Sequence, residues 1–229
     1  MSTTLAGFRW KKTWATSKSR SQIILGTVLM LAIVYTLPFF FNHIEKRDGV
    51  VLNDWVLAHV PAYNVSVLIF AIIWSMILLI LVRAIYKPVI YINYCWSLMF
   101  VCLARLACIS MVPLNPPAGL IPLTDPLTGV FYGESLITKD LFFSGHTATL
   151  TLIVLCLERK NDKIIATIAT VIVAFLLVVQ HIHYSIDILA APVVTYSCYA
   201  CTRYFLKITG TKKASGQILV KDPLLRQAS

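Results

Sequence analysis

Residues 140–151 read D-L-F-F-S-G-H-T-A-T-L-T: a carboxylate, a serine-glycine-histidine step, and the opening of an apolar run. Taken as a whole, 141–157 has the character of a helix in lipid, yet its head carries groups that lipid does not tolerate. Such a polar head survives only where protein lines a cavity or where the helix ends at an interface, and that constraint decides the fold. The rest of the chain is of the same kind. Of 229 residues 58% are hydrophobic and 13% charged, which excludes an ordinary soluble domain. Apolar runs recur at 22–41, 65–85, 89–112, 164–180 and 186–206, against the roughly 20 residues a helix needs to cross a bilayer. The pattern predicts an all-α, polytopic membrane protein with six transmembrane helices, the fourth and fifth short enough that their ends must lie at polar surfaces or protein-lined cavities.

Orientation follows from the basic residues. Arg9, Lys11, Lys12, Lys18 and Arg20 precede the first run; Arg83 and Lys87 lie between the second and third; Arg159, Lys160 and Lys163 lie between the fourth and fifth; Arg203, Lys207, Lys212, Lys213, Lys221 and Arg226 follow the sixth. The opposite loops hold only Lys46, Arg47 and Lys139. Both termini are therefore expected in the cytoplasm. Three parts are expected: a basic cytoplasmic segment at 1–21, a transmembrane domain at 22–206, and a flexible basic tail at 207–229. The net charge of +10 then reflects topology and attraction to anionic headgroups, not nucleic-acid binding. The first run is too long for a secretory leader and shows no small-residue cleavage pattern before Pro38, so it is expected to be retained. All six cysteines fall in the apolar runs and read as packing residues.

With the topology held fixed, the ionisable residues near the membrane converge on the outer side. His146 heads the fourth run, His183 lies in the short link before the sixth, and Asp187 follows four positions later, on the same face if the segment is helical. A carboxylate at that spacing can hold one imidazole nitrogen and leave the other free and basic. Ser144 suits an N-cap, Gly145 permits close approach to the backbone, and the first amides of the helix through Thr147 form a cradle for an anion. Arg105, inside the third run, needs a partner or an anionic ligand and offers a forked donor set suited to phosphate oxygens. Structural pairing of these residues with one another is the competing reading; two histidines, an aspartate, an arginine and a helix cap gathered on one leaflet favour a site. Asp140 could meet a headgroup ammonium or cap the helix start. Tyr132 and Phe131 could box a quaternary amine or simply pack. His181 fits neither half of the site and reads as a supporting or interfacial residue. The proline-rich outer loop at 113–139 is long for a connection and either covers a cleft or is a stiff connector. No carboxylate cluster or His/Cys set has metal-ligand spacing, so neither metal nor cofactor is expected.

D-L-F-F-S-G-H-T at 140–147 and H-Y-S-I-D-I at 183–188 resemble the sphingomyelin synthase family, within the wider type 2 phosphatidic acid phosphatase superfamily. Its members carry G-D-x-x-x-S-G-H-T and H-Y-[ST]-x-D-V elements; here Lys139 stands for the glycine and Ile188 for the valine. Arg105 ahead of Val112-Pro113-Leu114-Asn115-Pro116 is a further similarity, so the resemblance spans about residues 20–206. The phosphatase branch usually shows K-x6-R-P and an S-R before the second histidine, and neither occurs here. The resemblance implies an enzyme that moves a phospho-headgroup from a phospholipid donor to a lipid alcohol such as ceramide or diacylglycerol, from a site on the extracytoplasmic face. It implies His183 as nucleophile, Asp187 as its orienting partner, His146 as general acid, and Arg105, Asp140, Ser144, Gly145 and Thr147 as substrate contacts. From the residues alone the two histidines could exchange roles. A lipid phosphate phosphatase, with water as acceptor, would use the same residues, and a transporter or scramblase would spread polar residues over both leaflets.

Overall fold

In the computed structural model, residues 2–123 and 137–218 are described, and they are helical and irregular, with no strand among them. The helices are α1 (Ser2–Ala15), α2 (Ser17–Glu45), α3 (Trp55–His59), α4 (Ser66–Tyr86), α5 (Pro88–Met111), α6 (Gly145–Cys156), α7 (Lys160–Val179) and α8 (Ser185–Ile218). Local chemistry sets several of their ends. Asp54 caps α3, accepting from the amides of Val56 at 2.9 Å and Leu57 at 3.3 Å. Pro88 at the first turn of α5 leaves no donor wasted, and it separates α5 from α4 after the extended Lys87. The aromatic pair Phe131 and Tyr132 lies outside the described residues, as does 219–229 of the tail.

Each apolar run holds a helix, but the helices are unequal. Four of them, α2, α4, α5 and α7, are long and apolar enough to cross a membrane, which makes the chain an integral membrane protein. The fourth run is helical only from Gly145; its 12 residues rise about 18 Å, well short of a hydrocarbon core of about 30 Å. α8 is long, at 34 residues, but starts with Asp187 in its first turn, carries Arg203, and ends in a polar stretch.

The short helix is the centre of the bundle. α6 packs against α4, α5, α7 and α8. Leu150, Leu152 and Ile153 are fully buried among Ile69 and Ile80 of α4 and Val173 and Leu177 of α7. α2 stands at the rim, with Leu31, Tyr35 and Phe39 turned outward as a lipid-facing surface requires. It meets α5 at Gly26, where a Cβ would press on the Trp96 indole.

The outer loops are fastened to the helix ends. Arg47 donates to the carbonyls of Ser110 at 2.7 Å and Ile109 at 2.6 Å, satisfying the open C-terminal end of α5. Glu45 accepts from the Lys139 amide at 2.6 Å and the Thr138 hydroxyl at 3.0 Å, so the chain entering the 140–147 segment is pinned to the end of α2. The Val50 amide donates to Pro113 O and the Asn115 amide to Val50 O, both at 3.0 Å, which ties the two outer loops together.

Leu150→Ala removes a fully buried side chain where close neighbours cannot collapse, and is expected to cost about 2–5 kcal/mol. Phe175→Ala, on the outward face of α7, should change little; thermal unfolding in one detergent compares the two.

Candidate functional site

The 140–144 segment is apolar in composition but not helical. Leu141 and Phe143 are buried as loop residues, and Phe142 takes a positive φ of 29°. The Phe143 carbonyl accepts from Arg105 Nε at 3.0 Å, and Arg105 Nη2 pairs with the Asp140 carboxylate. The guanidinium reaching over from α5 thus organises the loop that leads into α6. It answers the charge problem of a cation inside a span with a carboxylate 35 residues away.

Ser144 then caps α6. Its Oγ accepts from the Thr147 amide at 3.4 Å and from the Thr147 hydroxyl at 3.2 Å, with Ser144 and Thr147 both buried. At Gly145 a Cβ would fall on the Arg105 guanidinium, so the close approach between α5 and the head of α6 requires glycine.

The second half of the site is tied to the first through backbone. The Ser144 amide donates to the Asp187 carbonyl at 3.1 Å. His183 and Asp187 are both buried, and His183 Nδ1 lies 3.5 Å from Asp187 Oδ2, whose other contact is the Tyr184 amide at 3.2 Å. That approach is an ion-pair distance and not a completed hydrogen bond: among the described residues, His183 Nδ1 and Asp187 Oδ1 have no hydrogen-bond partner. The His146 and His183 rings meet edge-on, with centroids 6.2 Å apart and planes at 62°. His146 also meets the Phe70 ring at 6.2 Å, and its Nδ1 has no partner among the described residues.

One cluster therefore brings together Arg105, Asp140, Ser144, Gly145, His146, Thr147, His183 and Asp187. Asp140 faces Arg105, and the helix cap is Ser144. Two neighbouring imidazoles, a carboxylate behind one of them, a guanidinium and the positive end of a helix are the groups that bind a tetrahedral oxyanion and move a proton to or from it.

Further residues support this arrangement from a distance. Asp54, besides capping α3, accepts from the Ser185 amide at 2.6 Å and the Ser185 hydroxyl at 3.1 Å, so one carboxylate holds the start of α8 as well. Burial works to raise the Asp54 carboxyl, but hydrogen bonds from Ser185, Leu57 and Val56 outweigh it and hold the acid below its ordinary value. Tyr184 is buried; its hydroxyl donates to Asn115 O at 2.9 Å and accepts from Leu52 N at 3.1 Å. Gln180, also buried, receives the Val65 amide at 3.1 Å and donates to Ser66 Oγ at 2.7 Å. His181, at a positive φ of 55°, sits between two carbonyls, Ala118 O at 3.0 Å from Nδ1 and Val60 O at 2.8 Å from Nε2. It clasps two outer loops and does not enter the histidine pair. Only the Asp54 cap of α3 had a local signal, an aspartate just before an apolar turn; its reach to Ser185 had none.

Residues 139–204 match the family described as PAP2 superfamily C-terminal. The matched stretch carries both histidine elements, and it supports the type 2 phosphatidic acid phosphatase superfamily for this chain. Arg105 lies outside it and joins the site only through the fold. A comparison with curated proteins finds no match.

Two outcomes follow from this geometry. Gly145→Ala should force the guanidinium aside and destabilise the protein by about 1–3 kcal/mol in thermal unfolding, as overpacking does. An acid held below its ordinary value supports the fold above about pH 4 and withdraws that support as pH falls through the lowered value. Hydrogen-exchange protection at Ser185 should thus erode only in acid, whereas Asp54→Ala should lower it roughly tenfold already at neutral pH.

Proposed function

We propose that this protein is a membrane lipid phosphotransferase of the sphingomyelin synthase type, moving a phospho-headgroup such as phosphocholine or phosphoethanolamine from a glycerophospholipid to a ceramide-like alcohol. The observation that carries the reading is the adjacent pair His146 and His183, 6.2 Å between centroids, with Asp187 behind His183 alone. The asymmetry suits different tasks. Asp187 orients His183 through Nδ1 and leaves Nε2 to attack phosphorus. The bond from phosphorus to the diacylglycerol oxygen breaks as the N–P bond forms, and His146 supplies the proton that the leaving oxygen needs. In the second half the acceptor hydroxyl attacks phosphorus, His146 takes its proton, and His183 departs.

Charge on the transferring group is met by Arg105 and the amides at the head of α6. Asp140 holds Arg105 in place and gives up part of its hold when phosphate oxygens arrive. The distribution of lysine and arginine supports a site on the extracytoplasmic face.

Purified protein in liposomes, given phosphatidylcholine, phosphatidylethanolamine or phosphatidylinositol and labelled ceramide, should form a ceramide phospholipid that disappears in His183→Ala. An acid-labile phosphoprotein should be trapped from the wild type by rapid denaturation and be absent from His183→Ala. Labelled phosphoprotein that survives in His183→Ala would reverse the two roles; free phosphate released when phosphatidate is added as a further substrate, with no new ceramide lipid from any donor, would replace the transferase by a phosphatase.

A further inference from the structure

Beyond the other end of α6, away from the histidines, lies a cavity of about 400 Å³ lined by α1, the α4–α5 junction and the start of α7. Its charged lining is Arg9, Arg83, Lys87, Glu158, Arg159 and Asp162. The two carboxylates are already engaged. Arg83 grips Asp162 in a two-pronged pair at 2.7 and 2.9 Å, and Lys87 pairs with Glu158. Arg9 spends one donor on the Tyr86 carbonyl at 3.2 Å, and among the described residues neither Arg9 nor Arg159 forms an ion pair with a carboxylate. Both are exposed.

The position of the cavity identifies what could reach it. Trp10 donates to the Ile85 carbonyl at 2.8 Å and packs edge-on against Tyr91, while Phe8 and Trp14 of α1 point outward. A helix with outward aromatics among basic residues lies in the headgroup layer, at the boundary of the hydrocarbon. Ala6 and Ile90 give the same cavity an apolar wall. Basic donors at headgroup depth beside an apolar wall match one kind of molecule, a lipid whose phosphate carries net negative charge.

We propose that this cavity binds the phosphate of an anionic lipid in the leaflet opposite the histidine site, with Arg9 and Arg159 as its ligands. The bound lipid clamps α1 onto the ends of α4 and α7. Its phosphate is held, not transferred: no histidine lines the cavity among the described residues, and its two carboxylates are taken up by Arg83 and Lys87.

The test uses the full chain in detergent, titrated with phosphatidylglycerol, phosphatidylcholine or inorganic phosphate and read by native mass spectrometry. Phosphatidylglycerol should bind in preference to phosphatidylcholine. Arg9→Gln with Arg159→Gln should weaken it tenfold or more, and Lys18→Gln with Arg20→Gln, basic residues on the same side outside the cavity, should alter it less than twofold. Ala6→Trp fills the cavity without changing charge and should weaken binding to a similar extent, which separates a shaped site from general attraction. Equal losses in both double variants, or undiminished binding in Ala6→Trp, would overturn the proposal. Saturable binding of inorganic phosphate without preference for phosphatidylglycerol would overturn it too, in favour of a soluble phosphate.

Discussion

The arrangement of the site depends on one hydrogen bond between backbones, from the Ser144 amide to the Asp187 carbonyl. Ser144 and Asp187 are both buried, so the Ser144 amide has no water as a substitute partner, and breaking the bond would strand that donor in the interior. It sets the head of α6 against the head of α8. His146 stands two residues after the donor and His183 four before the acceptor, so the distance between the rings is inherited largely from the backbone. The other contacts elaborate that junction: Ser144 Oγ closes the first turn of α6, Arg105 holds the approaching loop, and Asp54 holds the first residue of α8.

Local chemistry was legible in the sequence and distant chemistry was not. Ser144 before Gly145 announces a cap, and 183 to 187 is a helical spacing; both involve neighbours within one turn. The apolar run misled in one respect, since Leu141, Phe142 and Phe143, ahead of the Ser144 cap, read as helix in lipid. Hydrophobicity reports burial, and Leu141 and Phe143 are buried as a loop, Leu141 against Tyr184 and Phe143 between Val101 of α5 and Ala191 of α8. Arg105 and Asp140 were each recognisable as anomalous, yet their pairing depends on where α5 passes the 140–144 segment. Asp54 is the extreme case: it serves a residue 131 positions away, and no pattern along the chain encodes that contact.

Charge is handled differently at the two ends of the bundle. Near the histidines Arg105 is neutralised by Asp140 and further engaged by a carbonyl. At the opposite end two pairs, Arg83 with Asp162 and Lys87 with Glu158, join the α4–α5 corner to the first turn of α7 and to the link before it. The first of these is two-pronged and half-buried, the geometry in which an ion pair contributes most; the second is open to solvent and contributes little. Removing Asp162 would leave an arginine without its partner near the hydrocarbon, a larger loss than the pair itself would suggest.

The shortness of α6 has a consequence for depth. Charged Glu158 and Arg159 follow its far end, and its 12 residues rise only about 18 Å, about 12 Å less than a core of about 30 Å, so with that end at one interface the head stops short of the other. The floor of the histidine site is therefore sunk below the level where the acyl chains of a lipid begin. A two-chain molecule could bring its phosphodiester to that floor while its tails stay among other lipids. It would then be spared the cost of about 0.8 kcal/mol for every methylene drawn into water, and the approach would run sideways from the bilayer instead of downward from solution.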